Sequence, residues 1–519
     1  MYLSKSKYCL LWQCPKLLWL DTYRKELKTE DASRDDRMET GNEVGDLAMG
    51  LFGDFTEVTV LKADGNPDIS AMIEKTKACM AAGVENICEA SFSYGGLYCA
   101  VDILRKQDSG YAIYEVKSST HEAEIYGVDI AYQKYVLEHC GVTVTGTYLV
   151  CINSDYVRGE ELDIQQLFKI VDMTDWVEKE SPMLPHRLKL AEETLASKNE
   201  PVCDLGEHCD NPYRCAYWAY CTRHLPNPSV FDLYRLATRK KLEYYRKGLV
   251  SYQDLLAVPK LNEKQKRQIR FHLSDCGAHI DKEGIRKFLD TLSYPLYFLD
   301  FETMQPVVPP YSGTKPYQQI PFQYSLHYIE MPGGELKHKE FLAESGPDPR
   351  RSIAESLCRD IPQDVCVTAY NKGFECSRLK ELAEDFPDLK AHLLNIQANI
   401  QDLMTPFQSG HYYNRAMGGS FSIKSVLPAL FPDDPSLDYH NLEGVHNGGE
   451  AMTIFPKIKD MTPEERAIAR KQLLAYCKLD TYAMVKVWEA LVMQGKQVAD
   501  ACTFASEPEI TAYLDISHS

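Results

Sequence analysis

Two carboxylates stand at the end of an apolar, aromatic stretch in the second half of the chain. Residues 296–302 read Leu-Tyr-Phe-Leu-Asp-Phe-Glu, a pattern that predicts a buried β-strand. Side chains alternate along a strand, so Asp300 and Glu302 share one face. Buried carboxylates repel each other and lose hydration, and a bound divalent cation removes both costs. The pattern therefore predicts a metal site, and a strand end that reaches solvent is the alternative.

Two later elements bring further candidate site residues. Residues 365–370 form a second apolar stretch that predicts a strand, and Glu375 follows it closely. A capping box that begins at Thr462 predicts the start of a long helix near the end of the chain. Tyr476 and Asp480 lie four residues apart on that helix and therefore share one face.

These residues resemble the motifs of the DnaQ-like, RNase D-like exonuclease superfamily over roughly residues 294–490. Residues 300–303 match its first motif, residues 371–375 match the second except for its usual final Asp, and residues 476–480 match the tyrosine form of the third. The resemblance implies a ribonuclease H-like mixed sheet flanked by helices. It also implies 3′-to-5′ hydrolysis of phosphodiesters with two Mg²⁺ or Mn²⁺ ions.

The resemblance gives each of these residues a role. Asp300 would bridge both ions, and Glu302 with Asp480 would complete the ligand cage. Tyr476 would orient the attacking water.

The fourth carboxylate is left open between two residues. Glu375 is one methylene longer than the Asp that the superfamily uses, and Asp402 is the competing ligand. Lys424 is either a phosphate contact or an ordinary surface lysine.

A second set of charged residues lies on a β-hairpin predicted for residues 97–105 and 111–117. Pairing about its turn brings Asp102 near Glu115, and period two places Glu115 and Lys117 on one face. Two carboxylates can hold Mg²⁺, and a lysine beside them can stabilise a pentacoordinate phosphate. The alternative is a surface hairpin with salt-bridged charges.

Asp102 with residues 115–117 resembles the PD-(D/E)xK nuclease signature. Gln133 resembles the helix motif that follows in the RecB-like branch, although a tyrosine follows it after two residues where the branch has four. Glu43 or Glu89 is a candidate for a further carboxylate ligand.

Three of the seventeen cysteines recur at six-residue steps, namely Cys209, Cys215 and Cys221, and Cys14 lies far upstream. One remote cysteine plus three clustered ones resembles the CRISPR-associated RecB-like exonucleases and the AddB-type helicase–nucleases. That resemblance implies a [4Fe–4S] cluster with four thiolate ligands, with Cys203 as an alternative ligand. Zinc and unliganded thiols are the rival interpretations.

The elements that position these residues fall into three regions of an α/β, multidomain chain. We predict a RecB-like PD-(D/E)xK module with the cysteine cluster over residues 1–225, because prolines and an asparagine near residues 222–229 indicate a linker. Residues 226–290 are predicted to be helical and basic, and residues 291–519 to form the DnaQ-like module. The whole chain resembles a bacterial family that fuses these two modules.

The overall charge restricts the mode of nucleic-acid binding. The net charge is −18, so contact with phosphate must come from a local basic patch. The middle region is a candidate for such a patch, with solvated helix faces as the alternative, and its basic residues are Arg235, Arg239, Lys240, Lys241, Arg246, Lys247, Lys260, Lys264, Lys266, Arg267 and Arg270.

Composition and length complete the expectations. Hydrophobic residues make up 44% of the 519, an ordinary globular value, and no segment predicts a membrane span or signal peptide, so we expect a cytoplasmic protein. The predicted function is a metal-dependent nuclease acting on DNA ends or single strands, in repair or in defence against mobile DNA. The alternatives are an iron–sulfur scaffold that binds nucleic acid through decayed nuclease sites, and an RNA exonuclease.

Overall fold

The computed structural model describes residues 3–29, 34–274 and 277–496. Over these residues the chain is a mixed α/β, multidomain structure with two main sheets. The last part of the predicted third region, residues 497–519, lies outside the described residues. None of the described helices combines the length and the apolar character needed to cross a lipid bilayer.

The first sheet has seven strands within the described residues. They are β1 Leu3–Ser4, β2 Thr56–Glu57, β3 Asn86–Tyr94, β4 Leu97–Gln107, β5 Gly110–Lys117, β6 Val144–Ile152 and β7 Phe168–Asp172. The helices around it are α1 Lys5–Gln13, α2 Pro15–Tyr23, α3 Arg34–Met49, α4 Ile69–Ala82, α5 Glu124–His139, α6 Ile164–Leu167, α7 Thr174–Glu180, α8 Leu184–Ala196 and α9 Trp218–Thr222.

The strand order of this sheet is β2-β3-β4-β5-β6-β7. Strands β3, β4 and β5 form an antiparallel meander, and α5 provides the crossover that the parallel β5–β6 pair requires. Pairing of β4 with β5 ends at Ile103 and Tyr114, and short β1 pairs with β4 at Leu97 and Tyr98. The chain start therefore lies beside the place where β4 and β5 separate.

Alternation along the strands gives this sheet two buried faces. Ile113 and Leu149 pack with helix α5 on one face, whereas Tyr114 and Val150 pack with α3 on the other. Both faces are covered, which accounts for the run of consecutive buried residues in the middle of β5 and at the end of β6.

The middle region is helical and contains α10 Thr238–Arg246, α11 Tyr252–Leu255, α12 Glu263–Leu273, β8 His279–Ile280 and α13 Lys282–Leu289. The first three helices share a small core that includes Val230, Tyr252 and Ile269. In contrast, Ile285 and Phe288 of α13 belong to the core of the C-terminal unit.

The second sheet has the order β11-β10-β9-β12-β13. Its strands, with the short β14, are β9 Leu296–Met304, β10 Ile320–Ile329, β11 Lys337–Leu342, β12 Cys366–Ala369, β13 Ile400–Asp402 and β14 Tyr412–Tyr413, which pairs with β8. The helices are α14 Arg350–Asp360, α15 Gly373–Asp385, α16 Lys390–Ala398, α17 Thr405–Gln408, α18 Ile423–Leu430, α19 Gly448–Lys457 and α20 Pro463–Lys496.

Strand β9 is central in this sheet, antiparallel to β10 and parallel to β12. Helix α20 begins at the predicted capping box, in which Thr462 Oγ1 accepts from Glu465 N and the Glu465 carboxylate accepts from Thr462 N. Its later turns pack against β9 and β10 and bring Tyr476 and Asp480 to the central strand.

The loop of residues 305–319 joins the two units. It leaves the end of β9, and its Val307 is buried in the core formed by α3 and the first sheet. Arg158 N donates to Thr314 O at 3.0 Å, and Gly313 N donates to Arg158 O at 2.8 Å. The Tyr317 hydroxyl donates to Ser118 O, next to Lys117.

Candidate metal sites and cysteine cluster

The predicted face of β9 carries the first group of possible metal ligands. Asp300 and Glu302 lie on the same side of the central strand, and their carboxylate oxygens lie within 4.8 Å of each other and of Cys477 Sγ. Cys477 comes from α20 and is fully buried. Sequence reasoning missed this thiol, although it directly follows the predicted Tyr476.

Asp480 completes the approach of α20 to β9. Its carboxylate accepts from the Tyr476 hydroxyl, and its Oδ1 accepts from the Tyr439 hydroxyl at 2.6 Å. The predicted Tyr476–Asp480 pair is thus present on one face of the helix. Tyr439 was missed because it lies in an irregular segment with no local pattern that links it to the site.

Glu375 and Asp402, the two candidates for the fourth carboxylate, have different surroundings. Asp402 Oδ1 accepts from Asn371 N and Met404 N, both at 2.9 Å, and its Oδ2 accepts from Lys372 N at 3.3 Å. These bonds hold the turn that leads into α15. Glu375 lies in the first turn of α15, is 3% exposed, and its Oε2 has no hydrogen-bond partner among the described residues.

Burial raises the pKa of each of the four carboxyl groups of Asp300, Glu302, Glu375 and Asp480, and neighbouring carboxylates add to the shift for the first two. Burial, followed by the charges of Asp480, Glu302 and Glu375, raises the pKa of Asp300 well above its usual value. Burial and Asp480 do the same for the pKa of Glu302. Burial raises the pKa of Glu375 to about 8 and that of Asp480 to about 6. The donor set therefore suits hard divalent cations, which favour the ionised carboxylates.

A cleft of about 710 Å³ is lined by residues that include Lys424, Tyr439, His446 and Asn447, and it is connected to the carboxylates through Tyr439, which donates to Asp480. The exposed Lys424 places its Nζ 5.5 Å from the ring centre of Tyr439, and its charge acts on Glu302 and Asp480. The start of α19 lies close to Glu302, because a Cβ at Gly448 would be 3.4 Å from Glu302 Oε2.

The predicted Asp102, Glu115, Lys117 and Gln133 come together where β4 and β5 separate. Asp102 Oδ2 accepts from Val116 N at 2.7 Å, and Lys117 Nζ lies 2.5 Å from Glu115 Oε1. Gln133 Nε2 donates to Glu115 Oε2 at 2.6 Å. Gln133 Oε1 is buried and has no partner among the described residues, so it remains an available acceptor.

Two residues that sequence reasoning missed complete this group. Lys5 Nζ lies 3.0 and 3.1 Å from the two oxygens of Glu115 and 3.4 Å from Asp102 Oδ1. Asp129 Oδ2 accepts from Lys117 at 3.3 Å. Asp129 could have been found, since it precedes Gln133 by one helical turn. Lys5 is distant in sequence and gives no local signal.

Burial and charge separate the pKa values in this site. Burial, then the Glu115 carboxylate, raises the pKa of Asp102 to about 6. Burial alone would raise the pKa of Glu115, but the ammonium groups of Lys117 and Lys5 outweigh it and lower that pKa.

The two candidates for a further N-terminal carboxylate differ in their surroundings. Burial, then Asp102, raises the pKa of Glu89 to about 7. Glu89 has a φ of 58° within β3, a left-handed conformation that is uncommon for glutamate. Glu43 is an exposed residue of α3, and the charge that acts on it is that of Glu39.

The cysteines from the two ends of the first module line one cavity. It is bordered by Cys14, Cys203, Cys209, Cys215 and Cys221, together with His208. The tightest group is Cys14, Cys203 and His208, with 3.5 Å between the two sulfurs and 3.7 Å between Cys203 Sγ and His208 Nε2. Five thiols and an imidazole facing one cavity form a donor set that fits a thiolate-bound metal centre.

The basic residues of the middle region are partly paired with acids on their own helices. Glu243 pairs with Lys240 and Lys247, and Glu263 pairs with Lys266 and Arg270. These pairs reduce the excess positive charge that α10 and α12 present.

A family model described as a domain of unknown function (DUF2779) matches residues 297–422. The matched segment carries Asp300, Glu302 and Glu375 and ends before Tyr476 and Asp480. No curated protein matches the chain.

Proposed function

We propose that the chain is a metal-dependent nuclease whose C-terminal unit is a 3′-to-5′ exonuclease and whose N-terminal unit carries a second nuclease site. The observation that carries the proposal is the pair Asp300 and Glu302, whose carboxylate oxygens lie within 4.8 Å of each other on β9, together with Asp480 from α20 and Glu375 from α15, whose charges act on Asp300. Protein interiors avoid concentrating unpaired carboxylates, and cation binding is the function that best explains such a group.

The two sheets support the fold assignments that belong to this proposal. The mixed C-terminal sheet, with β9 at its centre and helices around it, is compatible with the ribonuclease H-like fold that the sequence resemblance implies. The N-terminal meander with its α5 crossover presents the PD-(D/E)xK residues at one point between β4 and β5.

Each residue of the C-terminal site has a role in this proposal. Asp300, Glu302, Asp480 and Glu375 would hold two Mg²⁺ or Mn²⁺ ions, which when bound supply a hydroxide nucleophile and stabilise the leaving oxygen. The Tyr476 hydroxyl, fixed by Asp480, orients the attacking water. Lys424 stands at the edge of the cleft, where it can contact a phosphate.

The N-terminal site has the residues for a second phosphodiester hydrolysis. Asp102 and Glu115 would hold a divalent ion, and Lys117 places a positive charge beside Glu115. Gln133 fixes Glu115 through its amide, and its free oxygen can accept a hydrogen bond from a water molecule.

The cysteine group would hold a structural metal centre that ties the chain start to the end of the N-terminal module. A [4Fe–4S] cluster on Cys14, Cys209, Cys215 and Cys221, with Cys203 as an alternative ligand, is the centre that the resemblance favours. The 3.5 Å between Cys14 and Cys203 favours zinc as a second candidate, because two thiolates on one tetrahedral zinc lie about 3.8 Å apart. Absorption near 400 nm with stoichiometric iron after anaerobic purification supports the cluster, and stoichiometric zinc in colourless protein rejects it.

Nucleic acid is the proposed substrate, with DNA ends or single strands preferred and RNA as the alternative. The cleft beside the carboxylates is lined by Lys424, His446 and Asn447, which can contact phosphate and base edges. Cleavage rates measured on a DNA strand and on an RNA strand of the same sequence distinguish the two substrates.

The proposal is tested with wild type and the variants Asp300→Asn, Asp102→Asn and the double variant on single-stranded DNA with Mg²⁺ or Mn²⁺. We expect each single variant to lose one cleavage activity and the double variant to lose both. Asp290→Asn, at an exposed position after α13, is the matched control. Undiminished metal-dependent cleavage by the double variant would overturn the proposal, whereas binding without cleavage by wild type would support the scaffold alternative.

A further inference from the structure

Lys5 is fixed at the entrance of the N-terminal carboxylate site. It is the first residue of α1, and Ser4 caps this helix through an Oγ that accepts from Lys7 N. The preceding residues pair with β4 at Leu97 and Tyr98, so the backbone of the chain start is part of the sheet. The Lys5 ammonium is therefore directed at the site by two elements.

The other end of α1 is held as well. Gln13 Nε2 donates to His208 O and Tyr213 O, both at 2.8 Å, and Cys14 directly after the helix belongs to the cysteine cluster. Because both ends of α1 are anchored, a change in the position of the Lys5 ammonium must come from the side chain. That side chain is 20% exposed and can turn toward solvent.

The Lys5 ammonium lies where a cation shared by Asp102 and Glu115 would lie. Its Nζ is nearly equidistant from both oxygens of Glu115, at 3.0 and 3.1 Å, and is 3.4 Å from Asp102 Oδ1. A divalent ion that used the same oxygens would be within a few ångströms of this ammonium, where repulsion between the two cations is strong.

The local charges favour an exchange of the two cations. Among the groups that are paired directly with one another, Asp102, Glu115 and Asp129 bring three carboxylates and Lys5 and Lys117 bring two ammonium groups, so this set carries one excess negative charge. Replacing Lys5 by a divalent ion leaves no excess charge. The released ammonium then lies beside the site, free to pair with a substrate phosphate.

We propose that Lys5 is the built-in competitor of the divalent ion at the Asp102–Glu115 site, so that the ion binds only by displacing the Lys5 ammonium. This inference rests on the proposed nuclease function of the N-terminal module. On this view Lys5 occupies the cation position until an ion displaces it. Metal binding is therefore weaker than the carboxylates alone would allow.

The test measures Mn²⁺ binding by the full chain, by electron paramagnetic resonance of the free ion. A parent variant with Asp300→Asn and Glu302→Gln removes the C-terminal site, and Asp102→Asn in that parent defines the N-terminal share of binding. Lys5→Met is compared with Lys7→Met, a lysine on the same short helix without a side-chain contact to the carboxylates.

We expect Lys5→Met to lower the half-saturating Mn²⁺ concentration by about tenfold or more, and Lys7→Met to leave it unchanged. Lys5→Gln, which keeps a polar head group in the site, gives the same direction if Lys5→Met fails to fold. Equal or weaker Asp102-dependent binding in the folded Lys5 variant overturns the inference alone. Absence of Asp102-dependent binding both in the parent and in the folded Lys5 variants overturns the proposed N-terminal nuclease site and the inference with it.

Discussion

Glu375 and Asp402 are neighbouring acids that differ in how well their carboxylates are hydrogen-bonded. Three backbone amides satisfy Asp402, whereas Glu375 Oε2 is buried without a partner among the described residues. The Glu375 carboxylate also contributes to the raised pKa of Asp300, after burial, Asp480 and Glu302. At the residue scale, the structure therefore favours Glu375 as the fourth ligand and Asp402 as the group that stabilises the turn before α15.

Exchanging each acid for its amide separates these roles. We expect Glu375→Gln to reduce metal-dependent cleavage by about 100-fold or more while leaving the free energy of unfolding unchanged or higher. We expect Asp402→Asn to lower the free energy of unfolding by about 1–3 kcal/mol, because it weakens charge-assisted bonds from backbone amides. Denaturant unfolding and single-turnover cleavage measure the two effects, and a reversed pattern would assign the ligand to Asp402.

The raised pKa values predict how pH affects stability without divalent ions. Carboxyl groups whose folded pKa is raised hold protons that the unfolded chain has released, so the free energy of unfolding falls as pH rises. The pKa values of about 6 for Asp480 and about 8 for Glu375 place this fall between the usual carboxyl range and pH 8.

Bound Mg²⁺ offsets this loss because it favours the ionised carboxylates. We therefore expect Mg²⁺ to raise Tm more at pH 8 than at pH 6, relative to protein in EDTA. Thermal melts of wild type and of Glu375→Gln provide the measurement, and the variant should show a smaller pH effect. The same Tm gain at both pH values in wild type would contradict the carboxylate cage.

At the scale of elements, much of the arrangement could be predicted because its signals are local. The apolar β9 with its two acids, the hairpin of β4 and β5, and the capping box of α20 all lie where their patterns indicate. The register of the hairpin also follows from its turn, which is why Asp102 and Glu115 were expected to meet.

The contacts that could not be predicted join residues far apart in the chain. Lys5 reaches Glu115, and Tyr439 reaches Asp480, from segments without a distinctive pattern. The docking of the 305–319 loop could not be predicted either, because the burial of Val307 in a distant core leaves no periodic pattern in the sequence. Such contacts depend on tertiary packing rather than on local propensity.

The 305–319 loop makes the stability of the first unit depend on the second. We expect Val307→Ala to lower the free energy of unfolding of the N-terminal unit by about 1–2 kcal/mol, because it removes buried methyl groups from the core around α3. Val157→Ala, at a position that is 48% exposed, is the matched control. Hydrogen exchange of the backbone amides in β5 and β6 reports the stability of the N-terminal unit. Equal protection in both variants would contradict this coupling.

At the scale of the whole molecule, two carboxylate sites occupy one acidic chain and are connected by that loop. The loop begins at the end of β9. Its Tyr317 lies beside Ser118, which directly follows Lys117 of the N-terminal site. The net charge of −18 repels phosphate at long range, so the proposed nucleic-acid substrate would have to be held by local contacts such as Lys424. The sequence alone indicated both sites but not their connection.

The most direct test of the central claim is the release of label from single-stranded DNA that carries it at either the 3′ or the 5′ end. With Mg²⁺ or Mn²⁺ and Asp102→Asn protein, we expect the 3′ label to be released first as mononucleotide and the 5′-labelled strand to shorten stepwise. Adding Asp300→Asn should stop both changes, and EDTA should do the same. Metal-dependent release that persists at the same rate after Asp300→Asn would contradict the assignment of the β9 carboxylates as a nuclease site.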